Sequence, residues 1–353
     1  MSYHVVRDPF QVQEVLRRSN EFVPANALTS VVELHPATLR ALARVGFALP
    51  PVLASASGEQ HRRVRTVVAR FFTPEKVAAI GPRVVELIRA RCRIAAAALA
   101  EGPVDLARLT RDIPAEIMMD LTGIRCPDME RLKRWSHHSL ELFWGWPDPA
   151  RQLELAESAA EFYQWLRDQV SGSGGDRSLF GSLLSAGLSD TEVCSLGYFL
   201  VIAGQETTSQ LINIALYKGL GEGHTWHDLA DDGSATRFVR TVLASETPVH
   251  TWRRVSQQAS RLGATDLPAG AEILLELSGN HPPDSTSTAY GLAFGHGIHR
   301  CIGAKLAELE AATVVAETAR LLPDITLSGP PPEWLRLLSF RTPLAVNVAL
   351  AKL

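Results

Sequence analysis

Apolar side chains recur every three or four residues along most of the chain, which is the spacing of one face of an α-helix. Five long segments show this pattern: residues 9–19, 73–102, 151–172, 189–221 and 303–323. Two of them open on helix-start signals, since Thr73 precedes Pro74 and Ser189 stands three residues before Glu192. We therefore predict a mainly helical fold.

Strand signals are fewer and shorter. Alternating or β-branched runs occur at residues 3–7, 251–259, 271–277 and 344–350. The run SGSGGD at 171–176 has the composition of a flexible linker, but between two helical segments it is more typical of a surface loop. These patterns predict a mostly α fold with minor β-sheet, built as a single domain over residues 1–353.

The composition limits the partners and the location. The chain has 353 residues, 46% of them hydrophobic, and a formal net charge of −3, which argues against a nucleic-acid-binding body and a polybasic membrane anchor. No apolar run of signal length stands at the start, and none approaches the roughly 18 residues of a membrane span. Four widely spaced cysteines indicate a reducing compartment. We expect a cytoplasmic protein that acts on a small molecule, without nucleic acid or membrane.

One cysteine stands in an unusual setting, the stretch FGHGIHRCIG at 294–303. A thiolate that binds iron needs peptide N–H groups around its negative charge, and Gly295 and Gly297 can adopt the loop conformations that supply them. Gly303 has no side chain to keep a flat macrocycle away from the following helix. The alternative is that Cys301 is a small buried hydrophobic residue at a glycine-rich helix start.

The same stretch resembles the haem-binding signature of the cytochrome P-450 superfamily, Phe-Gly-x-Gly-x-His-x-Cys-x-Gly, at every specified position. The resemblance implies haem b as the cofactor. It implies Cys301 as the proximal thiolate ligand of the iron, Phe294 as the ring that shields the sulphur, and His299 as a partner of a haem propionate. It also places Gly295 and Gly303 in the cofactor-binding set.

A second stretch, AGQETTSQ at 203–210, interrupts an apolar helix with polar residues. Gly204 costs about 1 kcal/mol inside a helix, and the Thr207 hydroxyl can turn to the carbonyl of Ala203 four residues back and loosen the helix. A plain helix with a polar face is the alternative. The stretch is similar to the family's Ala-Gly-x-(Glu/Asp)-Thr-Thr motif, which implies an oxygen-binding groove and proton delivery by Glu206 and Thr207. The haem would then lie between a helix at about 190–218 and the cysteine loop and helix at 294–321.

Two further stretches supply cations for the haem propionates. Residues 58–77 resemble the family's helix with His-x-x-x-Arg, which implies His61 and Arg65 as propionate partners. Residues 248–255 are similar to the family's Pro-Val-x-x-x-x-Arg strand, which implies Arg254. Taken singly, such charges are more often simply solvated.

The chain also departs from the family pattern. Residue Tyr3 already corresponds to the family's second strand, so the N-terminal side is short. Thr241 and Ala244 stand where the widespread Glu-x-x-Arg motif belongs, and the segment 281–293 is shorter than usual and lacks the arginine that completes the ion-paired triad. We expect packing and the haem itself to hold the cysteine loop in place.

The expected function is a haem-thiolate monooxygenase that hydroxylates or otherwise oxidises a small molecule in bacterial secondary metabolism. Electrons would come from a ferredoxin and its reductase. A substrate derived from an amino acid or a peptide is suggested by residues 27–55, either free or tethered to a carrier protein. Phe143, Trp144 and Trp146 are aromatic candidates for ligand contact or for the core. A catalytically silent auxiliary protein and an enzyme for coupling or dehydrogenation are the alternatives.

Overall fold

Helices make up most of the structure, as the periodicity predicts. The computed structural model describes residues 3–221, 226–279 and 290–351. Its α-helices, in chain order, are α1 (Pro9–Arg17), α2 (Pro36–Ala43), α3 (Gly58–Ala69), α4 (Pro74–Leu99), α5 (Leu106–Thr110), α6 (Ile113–Thr122), α7 (Met129–Trp144), α8 (Pro149–Gly172), α9 (Leu179–Ser185), α10 (Asp190–Gly221), α11 (Asp232–Ser245) and α12 (Ala304–Leu321).

Short strands form small sheets at the edges of the helical body. In chain order they are β1 (His4–Val6), β2 (Phe22–Val23), β3 (Val104–Asp105), β4 (Thr251–Ser256), β5 (Ser260–Leu262), β6 (Thr265–Leu267), β7 (Glu272–Glu276), β8 (Ile325–Leu327), β9 (Trp334–Arg336), β10 (Arg341–Pro343) and β11 (Asn347–Leu350). The largest sheet has the order β1-β7-β4-β2, with β1 parallel to β7 and the other pairs antiparallel. The strands β3-β11-β8, β9-β10 and β5-β6 pair separately.

The long periodic segments are the helices α1, α4, α8, α10 and α12, and the predicted fold class is confirmed. The helix starts are also confirmed. The Thr73 hydroxyl accepts a hydrogen bond from the backbone of Lys76, and Ser189 and Glu192 bond each other reciprocally as a capping box. The run at 171–176 forms the end of α8 and the turn after it. The single-domain assignment over 1–353 stays a prediction.

Helix α10 is the centre of the core. It packs against α6, α8 and α12, and α12 also packs against α4 and α11. Because neighbours surround α10, its buried residues lie all around its circumference rather than on one stripe. A smaller apolar cluster joins α1 to the sheet strands β6 and β7. Within the described ranges, no helix combines the length and apolar character needed to cross a membrane.

Candidate active site

A cavity of about 250 Å³ lies between α10 on one side and the cysteine loop with the start of α12 on the other. Its walls are mostly apolar. They include all but one of the residues assigned by resemblance to the haem or to oxygen, namely His61, Arg65, Ala203, Gly204, Thr207, Arg254, Phe294, Gly295, His299, Cys301 and Gly303. Residues from four separate parts of the chain, which are α3, α10, β4 and the cysteine loop, therefore converge on one site.

The cysteine loop has the backbone shape that its glycines predict. Gly295 and Gly297 have φ angles of 67° and 68°, a region that side chains other than glycine rarely adopt. At Gly297 a Cβ atom would also stand 2.8 Å from the carbonyl oxygen of Leu16. The loop closes through the backbone N–H of Cys301, which donates to the carbonyl of Phe294 at 2.8 Å.

Cys301 differs from the other cysteines in access and surroundings. Cys92, Cys126 and Cys194 are buried, and burial raises the pKa of each thiol. The accessible surface of Cys301 faces the cavity, with protein around the sulphur. Burial raises the pKa of this thiol too, but the N–H of Gly303 and the charge of Arg65 act in the opposite direction. Cys301 alone of the four combines cavity access with nearby positive charge.

Four basic side chains gather at one end of the cavity. The rings of His61 and His299 lie 4.7 Å apart, Arg65 donates to the carbonyl of Arg300 at 2.7 Å, and Arg254 projects from β4. Burial lowers the pKa of Arg254 to about 10, and burial followed by the charge of Arg254 lowers that of His299 to about 4.

Several polar atoms of this group lack a partner among the described residues. They are both ring nitrogens of His61, Nδ1 of His299 and Nε of Arg254. Unpartnered buried polar atoms are costly, because the group has lost water without gaining a hydrogen bond. Carboxylates at this end of a flat cofactor would accept from the N–H groups of Arg254 and His61, and they would favour a proton on Nδ1 of His299, whose Nε2 N–H already donates to the carbonyl of Ala56. The residues therefore fit the propionates of a haem.

On the opposite wall, α10 has the side-chain-to-backbone hydrogen bond that its sequence predicts. The Thr207 hydroxyl donates to the carbonyl of Ala203 at 2.7 Å. Gly204 permits a close helix contact, since a Cβ atom there would lie 2.6 Å from Cε of Met118 on α6. Glycine in the helix interior is therefore explained by this contact as well as by the cavity.

Glu206 is the predicted residue that the cavity wall does not include. Its carboxylate pairs with Lys133 of α7 at 3.3 Å, and Lys133 also donates to Gln205 and to Ser209. All of these side chains are buried. Sequence reasoning missed Lys133, although a lysine on the buried face of an amphipathic helix is a usable signal for an acidic partner.

Comparison with known proteins shows the family to which the chain belongs. No family profile matches the chain. The cytochrome P-450 monooxygenase PikC of Streptomyces venezuelae is 31% identical over 293 residues, which cover 78% of this chain and 69% of that protein. The chain belongs to the cytochrome P-450 family. The cyclomarin C epoxidase CymV of Salinispora arenicola is 27% identical over 311 residues, covering 82% of this chain and 78% of that protein.

Solved structures agree with this assignment. The cytochrome P-450 CREJ, solved in complex with (4-ethylphenyl) dihydrogen phosphate, superposes with a TM-score of 0.91 and is 25% identical, covering 99% of this chain and 92% of that chain. The P-450 fold and a P-450-type monooxygenase activity are thus confirmed, with haem b as the cofactor.

The region of the missing family motif shows what this P-450 has in its place. Thr241 is exposed and bonds back to the carbonyl of Arg237 within α11, and Ala244 is half-buried. Arg240, the residue before Thr241 on α11, instead forms an ion pair with Glu308 of α12. An ion pair between the buried Glu308 carboxylate and the partly exposed Arg240 thus joins α11 to α12. The expectation that packing and haem hold the cysteine loop stays a prediction. Most of the predicted short segment, residues 281–289, lies outside the described residues.

The three aromatic candidates for ligand contact differ in their location. Phe143 and Trp144 are buried at the end of α7 and line the cavity, whereas Trp146 is 60% exposed and lies outside it. The chain turns outward after α7 at Gly145, where a Cβ atom would clash with the carbonyl of Glu141 at 2.5 Å. Trp146 is therefore wrong as a cavity contact.

Proposed function

We propose that Cys301 would be the thiolate ligand of the haem iron and that this P-450 oxidises a neutral, largely apolar small molecule held at the α10 side of the cavity. The carrying observation is that the Cys301 thiol and Thr207 of α10 line the same cavity. When bound, haem b supplies the activation of molecular oxygen. The protein residues around it would bind the haem, orient the substrate and supply protons.

At the cysteine side, the chain holds the cofactor at two points. The N–H of Gly303 points at the Cys301 sulphur and favours its thiolate form. His61, Arg65, Arg254 and His299 would bind the propionates. Phe294 lines the cavity next to the sulphur, and Gly303 leaves room for the flat ring.

At the α10 side of the cavity, Thr207 and its neighbours would deliver protons. Because the Thr207 hydroxyl donates to Ala203, its oxygen is free to accept a hydrogen bond from a water in the cavity. Gly204 keeps the wall open beside it. Glu206, paired with Lys133, is one residue away and would exchange protons with this water after a side-chain rotation.

The substrate chamber favours an uncharged ligand. Apolar side chains dominate it, several of them aromatic, and the hydroxyl of Tyr198 is already bonded to Ser139, so that Tyr198 offers its ring. The charged side chains in the lining lie at the propionate end. A zwitterionic amino acid would bring unpaired charges into this chamber, which is costly. We therefore favour a peptide or a carrier-bound amino-acid derivative over the free amino acid.

Relatives supply context for the partners. P-450 BioI was solved with an acyl carrier protein that carries a fatty acid, and it shares the fold with 19% identity. We propose a carrier-tethered or peptide substrate for this chain and a ferredoxin with its reductase as electron donors. Reconstitution with such donors, followed by product analysis, separates hydroxylation from coupling and dehydrogenation, which share the same residues.

The ligand assignment is tested by cysteine replacement. Cys301→Ser should abolish the thiolate-type absorption of the reduced carbon monoxide complex, whereas Cys92→Ser, Cys126→Ser and Cys194→Ser should retain it. The three buried cysteines are matched controls for any loss of folding. A retained thiolate spectrum in Cys301→Ser would overturn the proposal.

A further inference from the structure

A buried polar cluster joins three parts of the chain behind the cysteine loop. Its centre is the carboxylate of Glu308 on α12. Arg240 of α11 pairs with one carboxylate oxygen, and the hydroxyl of Tyr290 donates to the other. Lys305, one turn earlier on α12, lies 3.1 Å from that second oxygen and 2.8 Å from the Tyr290 hydroxyl. We call these four residues the Glu308 cluster.

The buried charge of the Glu308 carboxylate has hydrogen-bond and ion-pair partners within the cluster. Glu308 and Tyr290 are 5% and 6% exposed. Burial acts to raise the pKa of Glu308, but the hydrogen bonds from Tyr290, Arg240 and Lys305 outweigh it and lower the pKa. A buried carboxylate depends mainly on its less exposed donors, here Tyr290 and Arg240, so the cluster links the segments that carry them to α12.

The cluster reaches the cysteine through two short steps. The ring of Tyr290 packs edge-on against Phe294, with 5.2 Å between the ring centres. The carbonyl of Phe294 then accepts the backbone N–H of Cys301 at 2.8 Å. Tyr290 thus contacts the residue whose carbonyl closes the cysteine loop.

We propose that Glu308 is the positioning residue of the cysteine loop in this P-450, and that it acts through the Tyr290 hydroxyl while Arg240 ties the assembly to α11. The proposal rests on the proposed ligation by Cys301. According to this proposal, the Glu308 cluster replaces the missing Glu-x-x-Arg pair. Its carboxylate lies on α12 and its arginine lies on α11.

The four members contribute unequally. Lys305 has a side chain that is 68% exposed, so water competes for its ammonium group and its loss matters little. The side chain of Arg240 is 37% exposed, and Tyr290 is buried. We expect the effect on the cysteine loop to rise in the order Lys305→Ala, Arg240→Ala, Glu308→Ala.

The test compares Glu308→Ala with Glu317→Ala in the haem-loaded protein. Glu317 is a matched control because it is also buried on α12 and ion-paired, with Arg89 at 2.6 Å, yet its ion pairs join it to α4 and to Arg320 rather than to the cysteine loop. Tyr290→Phe is the milder variant, since it removes one hydroxyl and keeps the ring against Phe294. The readouts are amide hydrogen exchange across residues 290–303 and the fraction of thiolate-type spectrum in the reduced carbon monoxide complex.

Glu308→Ala and Tyr290→Phe should each speed exchange in residues 290–303 by roughly tenfold or more and lower the thiolate fraction. Their effects should not add in the double variant, because both act through one hydrogen bond. Glu317→Ala should reduce overall stability and leave both readouts unchanged. Equal effects of Glu308→Ala and Glu317→Ala, or full additivity with Tyr290→Phe, would overturn the proposal.

The two proposals fail in different ways. If Cys301 were not the ligand, either the unsubstituted protein would lack the thiolate spectrum or Cys301→Ser would retain it, and the hydrogen-exchange comparison would still report on the Glu308 cluster. If only the cluster proposal is wrong, the unsubstituted protein shows the thiolate spectrum and the exchange of residues 290–303 does not respond to Glu308→Ala.

Discussion

Thr207 is the residue whose chemistry depends most directly on a single hydrogen bond. Its hydroxyl donates to Ala203, which leaves its oxygen open to the cavity. Thr207→Ala should keep the thiolate spectrum but lower product formed per electron consumed by roughly tenfold or more, because ordered proton delivery is lost. Peroxide release measured beside product formation checks this. Thr207→Ser restores a hydroxyl and should recover most of the coupling; unchanged coupling in the alanine variant would contradict the role.

Glu310 is a buried acid that the proposed function does not use. It is fully buried on α12, both carboxylate oxygens lack a partner among the described residues, and burial raises its pKa to about 8, opposed only by Lys133. The folded protein therefore binds a proton that the unfolded chain releases above its ordinary pKa of 4.5. The free energy of unfolding should fall as pH rises from about 4.5 to about 8 and level off above that.

Glu310→Gln should remove this pH dependence. The shift corresponds to on the order of 5 kcal/mol across the whole window, at about 1.4 kcal/mol per pKa unit. Urea unfolding at pH 6 and pH 8.5 measures the difference, with Glu317→Gln as the ion-paired control on the same helix. Parallel pH slopes in Glu310→Gln and the unsubstituted protein would show that the carboxyl is not neutral in the fold.

Single residues were predictable from sequence where chemistry is local. Gly295 and Gly297 could be assigned to unusual backbone conformations, and Thr207 to a bond within its own helix, because the partners lie a few residues away. Lys133 and the Tyr290–Glu308 bond could not be predicted. Each joins distant or unrelated positions, and only tertiary packing decides which polar side chains share a buried space.

At the scale of elements, the capping box of α10 offers a clean test. The Ser189 hydroxyl accepts the N–H of Glu192, and the Glu192 carboxylate accepts the backbone N–H of Ser189 at 2.9 Å. Ser189→Ala should cost about 1 kcal/mol of stability, measured by urea unfolding. The backbone and hydroxyl bonds of Ser189 lower the pKa of Glu192, so this cap is present at neutral pH and is lost as pH falls through that lowered pKa.

A matched serine separates the cap from a general effect of the substitution. Ser171 lies within α8, where its hydroxyl donates to the carbonyl of Arg167. Alanine is the better helix former there, so Ser171→Ala should be neutral or slightly stabilising. Similar losses for Ser171→Ala and Ser189→Ala would show that the capping box contributes nothing specific.

The longest helices were predicted and the shortest ones were not, for a physical reason. Helices such as α4 and α10 run through seven or more turns, so their apolar spacing accumulates over many residues. Helices α5 and α9 span 5 and 7 residues, too few for a period to show. The parallel pairing of β1 with β7 joins residues 4–6 to 273–275, and nothing in either strand specifies the other.

At the scale of the whole molecule, the haem site joins segments that are remote in sequence. The cavity takes its walls from α3, α10, β4 and the cysteine loop, so a bound haem contacts four otherwise separate parts of the fold. A group that binds only the folded state stabilises it by mass action, by about 2.7 kcal/mol at a hundredfold excess over its dissociation constant. The stabilisation should be largest in the segments that carry the unpartnered basic side chains.

Removing the haem should therefore act unevenly. We expect hydrogen exchange to accelerate in residues 248–256, which carry Arg254, and in residues 290–303, while the interior of α8 keeps its protection because its neighbours are other helices. Residues 290–303 should nevertheless stay partly protected without haem, since the Glu308 cluster still holds Tyr290. Exchange measured on haem-free and haem-loaded protein, each with and without Glu308→Ala, separates the two contributions. A uniform loss of protection across all helices would show that haem stabilises the fold as a single unit, whereas complete loss in residues 290–303 with Glu308 intact would show that the cluster does not act without the cofactor.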